Sequence, residues 1–184
     1  MSLSREEALR ILDRSDVICG ADEVSAAVTR MAGEITARLA SRMPIVLAVM
    51  GGGVVFCGQL LPQLRFPLDF DYIHATRYRG ATSGGSIEWR VRPTQDVRGR
   101  TVLVLDDILD EGHTLAAIRV ALLEAGAAEV LSAVFCEKQL AHDKPVRADF
   151  VGVTVPDRYV FGFGMDVHGA WRNLPAIHAV NEEG

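Results

Sequence analysis

Apolar and polar positions along the chain fall into patterns that predict alternating strands and helices. Strands are expected at 45–50, 69–75, 86–92, 101–106, 129–136 and 149–154, and helices at 5–14 and about 22–41. The run Thr101–Leu105 is β-branched and leucine-rich, of the kind buried on both faces of a parallel sheet. After it, Leu115, Ile118, Leu122 and Ala125 recur on one helical face, and Gly126 is placed to end that helix. The stretch Ser86–Arg92 alternates strictly between apolar and polar residues, which predicts a half-exposed strand in an edge hairpin. Ser4 and Glu7 form a capping box for a first helix. Strand and helix signals in alternation predict an α/β fold with a parallel, doubly wound sheet. The glycine-rich segment 79–85 reads as a mobile loop or a plain connector.

Composition narrows the class without naming a reaction. At 184 residues the chain is sized for one domain with a sizeable core. No apolar run reaches the length of about eighteen residues that a membrane span needs, and the first residues lack a signal-peptide layout, so no membrane association is expected. Cys19, Cys57 and Cys136 are too few and too scattered for a disulfide framework or zinc site, and a cytoplasmic location with reduced thiols is expected. Nineteen basic against twenty-four acidic residues give a net charge of −5, which speaks against non-specific nucleic-acid binding. An anionic ligand must then be met by local devices: backbone amides, a metal ion and a few cations.

The chemistry concentrates in residues 101–115. Asp106 and Asp107 stand at the carboxyl end of the central strand, where open α/β sheets bind ligands, and Asp110, Gly112 and Thr114 follow before the helix. Amides in a glycine-containing turn at a helix start favour phosphate. Carboxylates repel phosphate but bind Mg²⁺ and accept hydrogen bonds from a diol. A phosphorylated ribose with a metal ion satisfies both halves of the segment.

The same stretch resembles the phosphoribosyl-diphosphate signature of the type I phosphoribosyltransferases: a hydrophobic strand, two acids, two apolar residues, then Asp-x-Gly-x-Thr. Paired acids at a strand end also occur in phospho-accepting receiver domains, but there they follow the first strand, and here about a hundred residues precede them. The Asp-Asp-x-x-Asp motif of prenyl-transferring enzymes sits on helices, whereas Thr101–Leu105 reads as strand. A second block, Pro156–Asp166, resembles the purine-binding segment of the hypoxanthine–guanine members of the family.

The resemblance implies a single phosphoribosyltransferase-like domain over 1–184. Its parallel-sheet core would span about 43–155, flanked by helices, with a small hood from about 1–42 and 156–184. It further implies transfer of a phosphoribosyl group from 5-phosphoribosyl 1-diphosphate to hypoxanthine or guanine, with Mg²⁺, in a homodimer or homotetramer. The 5-phosphate would lie in the turn Asp110–Thr114, held by the amides of Glu111, Gly112 and His113 and by the Thr114 hydroxyl. Asp106 and Asp107 would meet the ribose hydroxyls directly or through metal-bound water. Asp110 would take the N7 proton as N9 attacks, although an aspartate at its unperturbed pKa of about 4 is a weak base for that task.

Tyr159 would stack on the purine, Val160 would offer its main chain to the ring edge, and Lys138 would donate to the exocyclic oxygen, disfavouring adenine. Asp166 would ligate Mg²⁺ and Arg172 would sit by the diphosphate. Gly51 and Gly52, directly after the first sheet strand, would bind diphosphate through amides, and Arg77–Tyr78 would begin a loop closing over the site. Three positions depart from the family pattern. Gly51 stands where many relatives have a basic residue, Arg77 where many have serine, and Glu111 where many have threonine or serine. Arg77 is expected to compensate for the cation missing at Gly51, and Glu111 to point outward and supply only its amide.

Two alternatives remain. A xanthine-preferring enzyme would differ only in main-chain contacts. An RNA-binding regulator on the same fold would want a basic face and would lack both Asp110 and the 156–166 block.

Overall fold

A computed structural model describes residues 3–77 and 87–181. Helix α1 (Arg5–Asp13) opens with the expected capping box: Glu7 donates its amide to Ser4 Oγ at 3.3 Å, and the Ser4 amide donates to Glu7 Oε2 at 2.7 Å. Strand β1 (Asp16–Cys19) leads to helix α2 (Ala21–Leu39), whose buried Val24, Val28, Met31, Ile35 and Leu39 form one apolar stripe. Then come β2 (Ile45–Val49), α3 (Gly53–Leu60), β3 (Asp69–Arg77), β4 (Ile87–Val91), β5 (Thr101–Leu109), α4 (His113–Glu124), β6 (Glu129–Lys138) and β7 (Phe150–Val155). The chain closes with the short strands β8 (Val160–Phe161) and β9 (Ile177–Ala179).

The main sheet has the order β4-β3-β2-β5-β6-β7. Every neighbouring pair in it is parallel except β3 with β4, so the alternating segment is the antiparallel edge strand its half-polar pattern predicts. Along β5 the side chains divide by parity. Leu103 and Leu105 pack with α2, α3 and Phe135, whereas Val102 and Val104 pack with Leu115, Ile118 and Leu122 of α4. A strand with helices on both sides is apolar at every position, which is why this run has no alternation. Helix α4 ends as expected at Gly126 (φ +95°), where the amides of Gly126 and Ala127 return to Leu123 and Leu122.

Two findings extend the sequence-based reading. Strand β5 runs to Leu109, so Asp106 and Asp107 lie within it; β6 continues alongside and keeps pairing as far as Leu109 opposite Glu137. The chain's two ends also build a second sheet, β1-β9-β8, whose members are too short for any periodicity. Arg158 fastens it, donating to Asp16 Oδ2 (2.7 Å), Asn181 Oδ1 (2.8 Å) and the Val180 carbonyl (3.1 Å). Trp171 Nε1 donates to the Ala8 carbonyl at 2.7 Å, fixing α1 to the C-terminal segment. Helix α3, apolar on nearly every side, likewise carries no periodic signal.

Candidate active site

The carboxyl ends of β5 and β6 and the segment 159–166 line a cleft of about 230 Å³. Asp107, Asp110, Lys138, Tyr159, Val160 and Asp166 line it, together with Ile108 and Met165. Six predicted residues from three separate parts of the chain thus face one space.

Asp106 and Asp107 stand side by side in β5, each keeping a partly open edge. The Asp107 amide donates to Asp106 Oδ1 at 3.0 Å, and the Ile108 amide to Asp107 Oδ1 at 2.9 Å. Burial, then the charge of Asp107, pushes the Asp106 carboxyl well above the ordinary carboxylate range. Burial also raises Asp107, against the hydrogen bonds it accepts and the nearby Arg172. Two crowded acids of this kind form a donor set that a divalent cation or a diol relieves.

The glycines explain how the acids fit. A Cβ at Gly52 would overlap the Asp107 carboxylate, and one at Gly164 (φ +103°) would strike the Gly52 carbonyl. Asp107 therefore occupies the space a side chain at 52 would take, and Gly164 closes over both. Gly51 has nothing within 4 Å of its would-be Cβ, so the basic side chain it lacks would meet open space. The Met50–Gly51 peptide is cis.

The predicted phosphate turn lies between β5 and α4. Gly112 caps the helix at φ +79°, and His113 and Thr114 form its first residues. An N-terminus with backbone N–H groups directed outward suits an anion. Glu111 does point outward: its half-exposed carboxylate meets His142 Nε2 at 2.9 Å, which lowers its pKa.

Lys138 Nζ lies 3.1 Å from Asp110 Oδ2; the lysine side chain is largely covered, while the aspartate is about half open to the cleft. Above them Tyr159 presents an exposed ring, stacked on His168 with centroids 6.2 Å apart. Val160 is buried and pairs with Ala179. Asp166 accepts from the Gly169 amide at 2.7 Å and pairs with Arg172, whose other terminal nitrogen donates to the Gly164 carbonyl at 2.6 Å. Arg172 thus holds the segment that carries Asp166. Arg77 ends β3, and Tyr78 lies outside the described residues, as does the glycine-rich segment 79–85.

Ile108, Gly164 and Met165 join the site without having been singled out from sequence. Gly-Phe-Gly at 162–164 is the signal for the second; Ile108 and Met165 look like ordinary core residues. Among the described residues no group of three His, Cys, Asp or Glu side chains is placed to hold a metal ion.

A parallel sheet with paired acids and an anion-ready turn at its carboxyl edge is the frame of a phosphoribosyl-transferring enzyme. Residues 20–168 match the phosphoribosyl transferase domain family, and the chain belongs to it. It is similar to the hypoxanthine-guanine phosphoribosyltransferase of Streptococcus pneumoniae, with 31% identity over 172 residues, covering 93% of this chain and 96% of the relative. The hypoxanthine-guanine-xanthine phosphoribosyltransferase of Tritrichomonas foetus is 32% identical over 173 residues, covering 92% and 93%. A solved structure of a hypoxanthine-guanine-xanthine phosphoribosyltransferase superposes with a TM-score of 0.82 at 30% identity, covering 92% of this chain and 99% of that one.

Proposed function

We propose that the protein salvages purines by transferring the phosphoribosyl group of 5-phosphoribosyl 1-diphosphate to N9 of hypoxanthine or guanine, giving IMP or GMP and diphosphate. The observation that carries this reading is the pair Lys138–Asp110, 3.1 Å apart on the cleft wall below Tyr159. In a 6-oxopurine, O6 and N7 lie side by side on one edge of the ring. A lysine donor beside a carboxylate acceptor complements an O6 acceptor beside an N7–H donor. Adenine would set its amino donor against the ammonium.

In this reading the base enters between the Tyr159 ring and the strand ends and displaces the Lys138–Asp110 contact. Lys138 then donates to O6, and Asp110 accepts the N7 proton as N9 attacks the anomeric carbon and the bond to diphosphate breaks. The amides of 111–113 and the Thr114 hydroxyl hold the 5-phosphate. Asp106 and Asp107 accept from the ribose hydroxyls and stabilise the positive charge that grows on the ring as diphosphate leaves. The amides of Gly51 and Gly52 face the diphosphate, with Arg172 close to Asp107 on that side. Mg²⁺, held by Asp166 and by Asp106 and Asp107 through water, would neutralise the diphosphate as leaving group. The outward Glu111 leaves the phosphate turn free of a facing carboxylate.

The same proposal includes a cytoplasmic homo-oligomer built from single-domain subunits. Phe70 and Tyr72, which share one face of β3 and are nearly half exposed, support association, which sedimentation would measure.

The test is an end-point assay with purified protein, 5-phosphoribosyl 1-diphosphate and Mg²⁺. Hypoxanthine, guanine, xanthine, adenine and uracil are offered separately, and nucleotide is read by chromatography. Conversion of hypoxanthine and guanine, abolished by a chelator, is expected; adenine or uracil as the preferred base would overturn the reading.

A further inference from the structure

Lys144 lies in the segment between β6 and β7, yet its side chain is only 9% exposed. Its ammonium donates to the carbonyl of Leu109 at 2.9 Å and to the carbonyl of Lys138, with Glu137 Oε1 at 3.7 Å. Those two carbonyls belong to the final residues of adjacent parallel strands, β5 and β6, whose ladder ends with Leu109 opposite Glu137. Past the end of a ladder, buried carbonyls still require donors. An ammonium carries three hydrogens on one atom and can serve both strands at once. Burying that charge is costly unless it is fully engaged, and two carbonyls with a nearby carboxylate engage it.

What the two strand ends carry gives this clasp its meaning. Asp110 follows Leu109 directly, and Lys138 is itself the other half of the base-facing pair. The residues after Lys144 support the same region: a Cβ at Gly112 would meet Val146 Cγ1 at 3.2 Å and Pro145 Cδ at 3.5 Å. Resting on the phosphoribosyl-transfer reading, we infer that Lys144 is a positioning residue. By binding the Leu109 carbonyl to that of Lys138, it sets the spacing of the Asp110 carboxylate and the Lys138 ammonium, and so their joint fit to one edge of the purine. It lies behind the strand ends and touches no substrate.

Lys144→Met keeps the length and removes the donors. In the full chain it is expected to raise KM for hypoxanthine and lower kcat, each about tenfold, while KM for 5-phosphoribosyl 1-diphosphate moves less than about threefold. Lys144→Arg, which keeps donors at that point, is expected to recover most of the loss. The separating readout is a double-mutant cycle. In a Lys138→Met background, Lys144→Met should change the Kd for IMP, by calorimetry, several-fold less than it does in the wild-type background, because one half of the pair it spaces is gone. If Lys144→Met does not fold, Lys144→Gln, with its amide donor, is read through the same cycle.

An equal penalty in both backgrounds overturns the inference, as does a diphosphate-substrate KM that rises in step with that of hypoxanthine. Unchanged kinetics in an otherwise active protein also overturn it while leaving the proposed function standing. A wild-type chain that makes no nucleotide from any base overturns both.

Discussion

Asp110 has its carboxylate about half open to the cleft and meets Lys138 as its side-chain partner among the described residues. Its removal therefore costs little packing and bears on chemistry. Asp110→Asn is expected to lower kcat roughly a hundredfold or more, the scale of general acid–base catalysis, with the melting temperature unchanged. Near-normal turnover would take the proton-accepting role away from Asp110. The glycines before α3 give the opposite kind of test. A methyl at Gly52 competes with the Asp107 carboxylate for one space, so Gly52→Ala is expected to cost about 1–3 kcal/mol by urea denaturation and to abolish most turnover. Gly51→Ala, one residue away and facing open space, should stay within about 0.5 kcal/mol. The two residues are indistinguishable in the sequence. Only the return of β5 beside them separates the one whose side chain is forbidden.

Among elements, the crossing from β4 to β5 depends on one buried acid. Asp71 of β3 accepts from the Tyr72 amide (2.8 Å), the Thr94 amide (2.6 Å) and hydroxyl (2.9 Å), and the Gln95 amide (3.2 Å). Burial pushes its carboxyl up, but these hydrogen bonds together outweigh it and hold the group below its ordinary range. The unfolded chain lacks those donors. The stability they contribute is therefore present above the ordinary carboxylate pKa near 4 and is lost as pH falls through the lowered folded value. Asp71→Asn, which turns one acceptor into a donor, is expected to cost about 1–3 kcal/mol at pH 7, with the gap to wild type closing as pH falls below about 4. Urea titrations across pH measure it, and a gap that widens in acid would contradict the assignment. β4 and β5 themselves follow from their apolar patterns. The turn that fixes them is specified by a residue on the far strand, where no local signal points to it.

For the whole molecule, the crowded Asp106–Asp107 pair and the open turn at Gly112 leave interactions unspent, and under the proposed function substrate and Mg²⁺ would complete them. A ligand bound only by the folded chain stabilises it by about 2.7 kcal/mol at a hundred times Kd, which for a protein of this size is roughly 5–10 °C. 5-Phosphoribosyl 1-diphosphate with Mg²⁺ is expected to raise the melting temperature by that order in a thermal scan, and chelator to remove most of the rise. A shift indifferent to Mg²⁺ would place the acids outside the metal site.

The alternation of strands and helices, the burial of β5 and the turn at Gly112 are all determined by the sequence. Each depends on periodicity, side-chain shape or backbone freedom within a few residues. The central motif lies wholly in one such stretch, so membership of the phosphoribosyl transferase family could be read from it. What joins Asp110 to Lys138, 28 positions apart, is the parallel pairing of β5 with β6, and Tyr159 reaches them only because the chain's two ends form one small sheet. Lys144 sits in a polar segment with no pattern at all, and its burial exists only where two strands stop together. The tertiary structure decided these things because parallel pairing brings distant residues together by hydrogen bonds between backbones, which carry no side-chain signature along the chain.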